Sequence, residues 1–194
     1  MNFGRYEVKA QIGLGGMATV YRAWDPQLQR DVAIKVLTAG SSNNPEFAAR
    51  FQREALIIAR LEHPAILSVY DFGADQGVNY IVMRLLSGGT LEDRLQSGPL
   101  PLTEVLRILR PIASALDYAN SVRVLHRDIK PSNIGFDDTG SPLLMDFGIA
   151  RVLQSQRETR LTAADALMGT PTYMSPEQVR GASISGAADI YALG

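Results

Sequence analysis

One boundary does most to restrict the fold of this chain: Ser87-Gly88-Gly89. Before it, short segments rich in Val, Ile and aromatics are separated by Gly, Pro and Asp. That is the pattern of strands and turns. After it, apolar residues recur every three or four positions, the spacing of helices that bury one face. A strand-rich part, a short linker and a helical part describe an α+β chain in two lobes. The stretch Met83 to Gly89 is the candidate hinge. No internal repeat, low-complexity tract or heptad run competes with this reading.

Strands are expected at Tyr6 to Ile12, Ala18 to Trp24, Asp31 to Leu37, Ile66 to Phe72 and Val78 to Leu85. Asn44 and Pro45 suit a helix cap and a first helical position. That helix runs to about Leu61, with Phe47, Phe51, Ala55 and Ile58 as its apolar stripe. A short helix is expected over Thr90 to Gln96. A longer one begins at Thr103 as its cap, burying Val105, Leu106, Leu109, Ile112, Ala113 and Leu116. Pro111 inside it predicts a kink or a lost hydrogen bond.

Composition narrows the function classes. With 194 residues, 46% of them hydrophobic and 20% charged, the chain can bury a core and is not a disordered one. The formal net charge of −1 argues against nucleic acid as a partner. The absence of cysteine excludes disulfide scaffolds, thiolate metal sites and cysteine nucleophiles. The longest uncharged run, Ala10 to Tyr21, is short and full of glycine, unlike a membrane span. Residues Met1 to Arg5 carry no apolar signal region. A soluble domain in a reducing, cytoplasmic setting is the expectation.

Several segments could carry chemistry. Gly13-Leu14-Gly15-Gly16-Met17-Ala18-Thr19-Val20 lies between the first two strands, and its glycines would let backbone N–H groups approach phosphates. A glycine-rich hairpin is also common without any ligand. Lys35 closes Val32-Ala33-Ile34-Lys35, and is either a solvated strand end or a charge for phosphate held by Glu54 on the following helix. The segment His126-Arg127-Asp128-Ile129-Lys130-Pro131-Ser132-Asn133 packs four ionisable groups and an Asn into eight residues. An Asp can accept a hydroxyl proton, a Lys can neutralise phosphoryl oxygens, and an Asn oxygen can bind a hard cation. Asp146-Phe147-Gly148 follows an apolar run, a place for a metal ligand or for a simple turn.

Taken in order, these segments resemble the catalytic domain of bacterial Hanks-type Ser/Thr protein kinases, from about Tyr6 to the last residue. Arg53-Glu54-Ala55, Glu62-His63-Pro64, Asp146-Phe147-Gly148-Ile149-Ala150-Arg151 and Ser175-Pro176-Glu177-Gln178 are similar to that branch in particular. The resemblance implies a kinase-like two-lobe fold: a β-rich N-lobe over about 6–85 with one long helix, a hinge at about 84–89 and a helical C-lobe over about 90–194. It implies ATP, with Mg²⁺ or alternatively Mn²⁺. Gly13, Leu14, Gly15, Gly16, Val20, Ala33, Met83 and Leu86 would surround the nucleotide. Lys35 would contact phosphates and pair with Glu54. Asp128 would take the substrate proton, Lys130 would steady the phosphoryl group, and Asn133 and Asp146 would hold the metal.

The implied reaction is phosphorylation of Ser and Thr on protein substrates. Lys130 and Thr170 fit the Ser/Thr form, Thr170 as the bridge between Asp128 and Lys130. Thr162, then Thr159, are the expected autophosphorylation sites, with Thr170 in the same loop, Arg127 as the partner of the phosphate and a kinase–kinase dimer as the arrangement. His126 and His63 read as packed structural residues. The alternative is a pseudokinase-like scaffold that binds nucleotide or partners.

Departures from the pattern are Ala18 for the third glycine, Arg84 at the hinge, Asn120 for a frequent His, Arg123 for a common Gly, and Gly135 where an apolar side chain usually floors the adenine. Gly135 predicts weaker ATP affinity. The final residues resemble the start of a long central C-lobe helix, so the chain is expected to be a C-terminally truncated domain of marginal stability and weak activity. The parent's membrane anchorage is left open.

Overall fold

The computed structural model describes residues 1–15, 18–37, 45–147 and 171–194. Contacts divide the chain into two compact units, here taken one at a time. The first holds Met1–Arg60 and Ser68–Leu85. Its strands are β1 (Asn2–Phe3), β2 (Tyr6–Leu14), β3 (Ala18–Asp25), β4 (Arg30–Leu37), β5 (Val69–Asp75) and β6 (Val78–Arg84). They form one antiparallel sheet in the order β1-β2-β3-β4-β6-β5.

Side chains alternate across a strand. In β4, Val32, Ile34 and Val36 join Phe3, Tyr6, Ala23, Tyr80 and Val82 in one core cluster. Ala33 and Lys35 are thereby sent to the opposite face. Helix α1 (Pro45–Ala59) packs against β5 and β6. Its expected stripe is buried at Phe47, Phe51, Ala55 and Ile58. Phe51 meets Phe72 edge-on at 6.4 Å.

A polar brace ties the start of the sheet to its far edge. Arg5 reaches Asp25 at 3.4 Å and Asp71 at 3.3 Å. The Tyr6 hydroxyl donates to Asp71 at 2.7 Å. Burial, then this bond to the carboxylate, pushes the Tyr6 pKa well up.

The second unit holds Leu61–Leu67, 86–147 and 171–194. It contains α2 (Leu91–Leu95), α3 (Leu102–Ser121), the hairpin β7 (Ile134–Phe136) and β8 (Pro142–Leu144), α4 (Pro176–Val179) and α5 (Gly186–Leu193). Helix α3 packs against β8 and α5. Thr90 caps α2 in a reciprocal capping box with Asp93.

Three expectations about elements need correction. First, β5 starts at Val69, not Ile66. The preceding residues pair elsewhere: Leu144 N–H donates to Ala65 O, and Leu67 N–H to Leu144 O. Second, Thr103 caps nothing. Pro101 stands in extended conformation at the cap and helical geometry begins at Leu102, so Thr103 is already inside. Third, α3 buries Ile108, Ile112, Ala115, Leu116 and Ala119. Leu106 is 52% exposed and borders a shallow outward depression with Thr103, Arg107, Arg110 and Pro111. The helix runs on through Pro111 as one element. Among the described residues no helix is long and apolar enough to cross a membrane.

Candidate active site

In the first unit, the sheet register collects several candidate residues. Val20 pairs with Lys35, Lys35 with Ile81, and Ala33 with Met83. Directly opposed residues project from the same face of a sheet. Val20, Ala33, Lys35 and Met83 therefore share the face turned away from the core cluster. Gly13 and Leu14 pair with Val20 and Thr19, and the Gly15 N–H donates to Ala18 O at 2.9 Å, closing the hairpin. Gly16 lies outside the described residues. Lys35 and Glu54 stand on β4 and α1 of this unit, each half-buried and each engaged by neighbouring groups.

The Arg84 N–H donates to Ser68 O at 3.1 Å, so this backbone donor is used within the sheet edge. Leu85 and Leu86 make no backbone hydrogen bond among the described residues.

In the second unit, the segment 126–133 folds around Asp128. Lys130 Nζ sits 2.8 Å from Asp128 Oδ2. Asn133 Nδ2 donates to the same oxygen at 3.0 Å and to Asp128 O at 2.7 Å. Asp128 Oδ1 has no hydrogen-bond partner among the described residues. The Met145 N–H donates to Asn133 O at 2.9 Å, which sets Asp146 beside this loop. Asp146 itself takes a left-handed φ of 65°.

His126 is wholly buried, and its role follows from its bonds. Nε2 is 2.6 Å from Met145 O, and Nδ1 accepts the Asp128 N–H at 3.3 Å. Only the neutral ring protonated at Nε2 satisfies both. Its ring meets Phe147 edge-on at 4.7 Å. Burial holds its pKa below the ordinary value of 6.5, outweighing the opposite pull of the Met145 carbonyl and Asp189. His126 is thus a packed strut between two loops, not a base. His63 is likewise structural: Nδ1 accepts the Ala65 N–H, Nε2 faces Ser114 Oγ, and the ring stacks on Tyr118.

The His126 shift has a measurable sign. Below about pH 6.5 the unfolded chain takes up a proton that the folded one resists. This contribution to stability is present above that pH and is lost as pH falls through it. Denaturant midpoints between pH 7.5 and 5.5 should fall, with a shallower dependence in His126→Gln.

Asp189, on α5, is 5% exposed and accepts two backbone N–H groups: His126 at 2.8 Å and Arg127 at 2.7 Å. Gln178, on α4, donates its amide to Arg127 O at 2.8 Å. Nothing in the sequence marked Gln178 beyond the family-like run Ser175 to Gln178, because its contact spans a long stretch of chain.

The donor set suits a metal–nucleotide complex. Asn133 Nδ2 is taken up by Asp128, so Oδ1 is the atom left to coordinate. With the Asp146 carboxylate it forms an oxygen-only pair. Among the described residues no cluster of three or more His, Cys, Asp or Glu could hold a metal alone. Few protein oxygens, completed by phosphate and water, is how Mg²⁺ is usually bound.

The sequence pattern of the protein kinase domain matches residues 6–194. The chain belongs to this family. The kinase domain is 45% identical over 192 residues to the Serine/threonine-protein kinase PrkC of Bacillus subtilis, covering 98% of this chain and 29% of that protein. It is 42% identical over 195 residues to PknB of Mycobacterium leprae, covering 98% of this chain and 31% of that protein. The chain therefore spans under a third of the length of these relatives. The PknI kinase domain of Mycobacterium tuberculosis superposes with a TM-score of 0.80 at 35% identity, over 100% of this chain and 72% of that one. The expected α+β kinase-like fold is confirmed. Family membership implies use of ATP and a divalent metal ion.

Two departures gain a physical account. Arg123, where the family commonly has Gly, takes a left-handed φ of 62°. A glycine meets that conformation without a steric cost. Gly135 has close neighbours. A Cβ there would lie 2.5 Å from Leu86 Cδ1 and 2.8 Å from Met145 Sδ. The space beside Gly135 is already filled by those side chains. Gly135→Leu should push both aside at a cost of about 1–3 kcal/mol. A lower melting temperature in thermal unfolding is the expected result.

Thr159, Thr162 and Thr170 lie outside the described residues, as does Gly148.

Proposed function

We propose that this chain is the catalytic domain of a Ser/Thr protein kinase, transferring the γ-phosphoryl group of ATP to protein hydroxyls. The observation that carries the reading is the Asp128 carboxylate, with Oδ2 held by Lys130 and Asn133 and Oδ1 without a partner among the described residues. An incoming Ser or Thr hydroxyl can donate to Oδ1, which orients the oxygen in line with phosphorus and accepts its proton. Lys130, fixed 2.8 Å from the same carboxylate, brings positive charge to where the phosphoryl oxygens gather. Asn133 Oδ1 and the Asp146 carboxylate would hold Mg²⁺, with Mn²⁺ as the alternative. That ion, when bound, neutralises phosphate charge. By family resemblance, Lys35, steadied by Glu54, and the Gly13–Gly15 backbone would contact the nucleotide phosphates. The similarity to bacterial kinases named for Ser/Thr specificity supports the substrate class.

We infer also that the domain is cytoplasmic and is switched by autophosphorylation between two copies, at Thr162 or Thr159. The half-buried Arg127 guanidinium supports this reading, since it has no partner among the described residues and suits a phosphate. The test uses the full-length protein. Label from γ-labelled ATP should enter casein and the protein itself, and phosphosite mapping should find the loop threonines. No transfer to either would overturn the kinase reading in favour of a nucleotide-binding scaffold.

A further inference from the structure

The peptide unit joining Arg127 to Asp128 is gripped at both ends. Its carbonyl, Arg127 O, accepts from Gln178 Nε2 at 2.8 Å. Its N–H, on Asp128, donates to His126 Nδ1 at 3.3 Å. A peptide is planar, so holding its oxygen and its nitrogen fixes the orientation of the whole unit. That plane leads directly into the Cα of Asp128. The grip has work to do: Arg127 has a φ of 69°, a left-handed conformation that a non-glycine residue adopts only under external restraint. Asp189 supplies a third restraint at the Arg127 N–H.

Gln178 is anchored in its turn. Its Oε1 accepts the Ser175 N–H at 3.0 Å, and its own N–H donates to Ser175 Oγ at 3.4 Å, a capping box at the start of α4. Ser175 is fully buried. The two ends of one amide thus join two separate segments: oxygen to 175–178, nitrogen to the loop that carries the base.

We propose that Gln178 is a positioning residue for the phosphoryl-transfer step. It sets the 127–128 peptide, and through it Asp128, only when the segment 175–178 is in place. The inference rests on the kinase reading above.

Gln178→Glu in the full-length protein separates the two bonds. Glutamate keeps the acceptor for Ser175 N–H, being a favoured capping-box residue at this position. It replaces the donor facing Arg127 O with a carboxylate oxygen. With casein and γ-labelled ATP, kcat should fall at least about ten-fold, the KM for ATP should stay within about two-fold, and the melting temperature should stay near that of the unaltered protein. Gln178→Met, which lacks the donor without adding charge, should show the same kcat loss. Unaltered kcat in both variants overturns the proposal. A kcat loss matched by loss of ATP binding and by early melting also overturns it, leaving a structural role. Absence of transfer in the unaltered protein is instead the failure of the kinase reading.

Discussion

Asp128→Asn in the full-length protein is expected to cut phosphoryl transfer about 10²- to 10⁴-fold while leaving ATP binding nearly intact. The expectation rests on how the two oxygens of Asp128 differ. Oδ2 is held by Lys130 Nζ at 2.8 Å and Asn133 Nδ2 at 3.0 Å. An asparagine can keep its oxygen in that place. Its nitrogen then occupies the Oδ1 position, where it offers a donor and cannot take up a hydroxyl proton. Removing the charge also leaves Lys130 without its anion. Neither change touches Lys35 or the glycine hairpin, which lie in the other unit. Single-turnover transfer measured beside nucleotide binding separates the two effects. Transfer within a few-fold of the unaltered protein would show that Asp128 is not the base.

The second large effect is structural. Asp189→Ala should destabilise the fold by about 2–5 kcal/mol, since two buried backbone donors lose their acceptor and each such loss costs about 1–3 kcal/mol. The groups concerned are the N–H of His126 and of Arg127. Arg127 is already in a left-handed conformation and would lose one of its restraints. Activity should fall with stability, because the same bonds shape the loop around Asp128. Denaturant unfolding gives the free energy. Asp189→Asn, which retains one acceptor oxygen, should recover part of it. An unfolding midpoint unchanged in Asp189→Ala would mean that water replaces the carboxylate at no cost.

How much of this was legible in the sequence depends on the range of the interaction. The alternation in Val32 to Val36 and the stripe Phe47, Phe51, Ala55, Ile58 are local patterns, and both are buried as their periods require. The Thr103 cap was not legible, since capping depends on where helical geometry begins, and it begins at Leu102, one residue before Thr103. Leu106 belongs to an apolar period but faces outward, because α3 turns Ile108, Ala115 and Ala119 toward its neighbours. Period names a face; packing partners choose how far it rotates. Ile66 and Leu67 read as strand and are drawn to Leu144 instead.

The candidate site divides in the same way. Asp128, Lys130 and Asn133 stand within six residues of one another, so a single tight loop brings them together and their chemistry could be read directly. By itself the sequence determined the family, the α+β class, the inventory of reactive groups and the neutral balance of charge. These follow from residue identity and from spacings shorter than one helix or strand. Only the tertiary structure decided that Leu86 and Met145 fill the space beside Gly135, that Ile66 and Leu67 join Leu144, and that Gln178 grips the carbonyl of Arg127. Each of those depends on atoms 50 or more residues apart, or on a side chain's free space, and packing alone sets such distances.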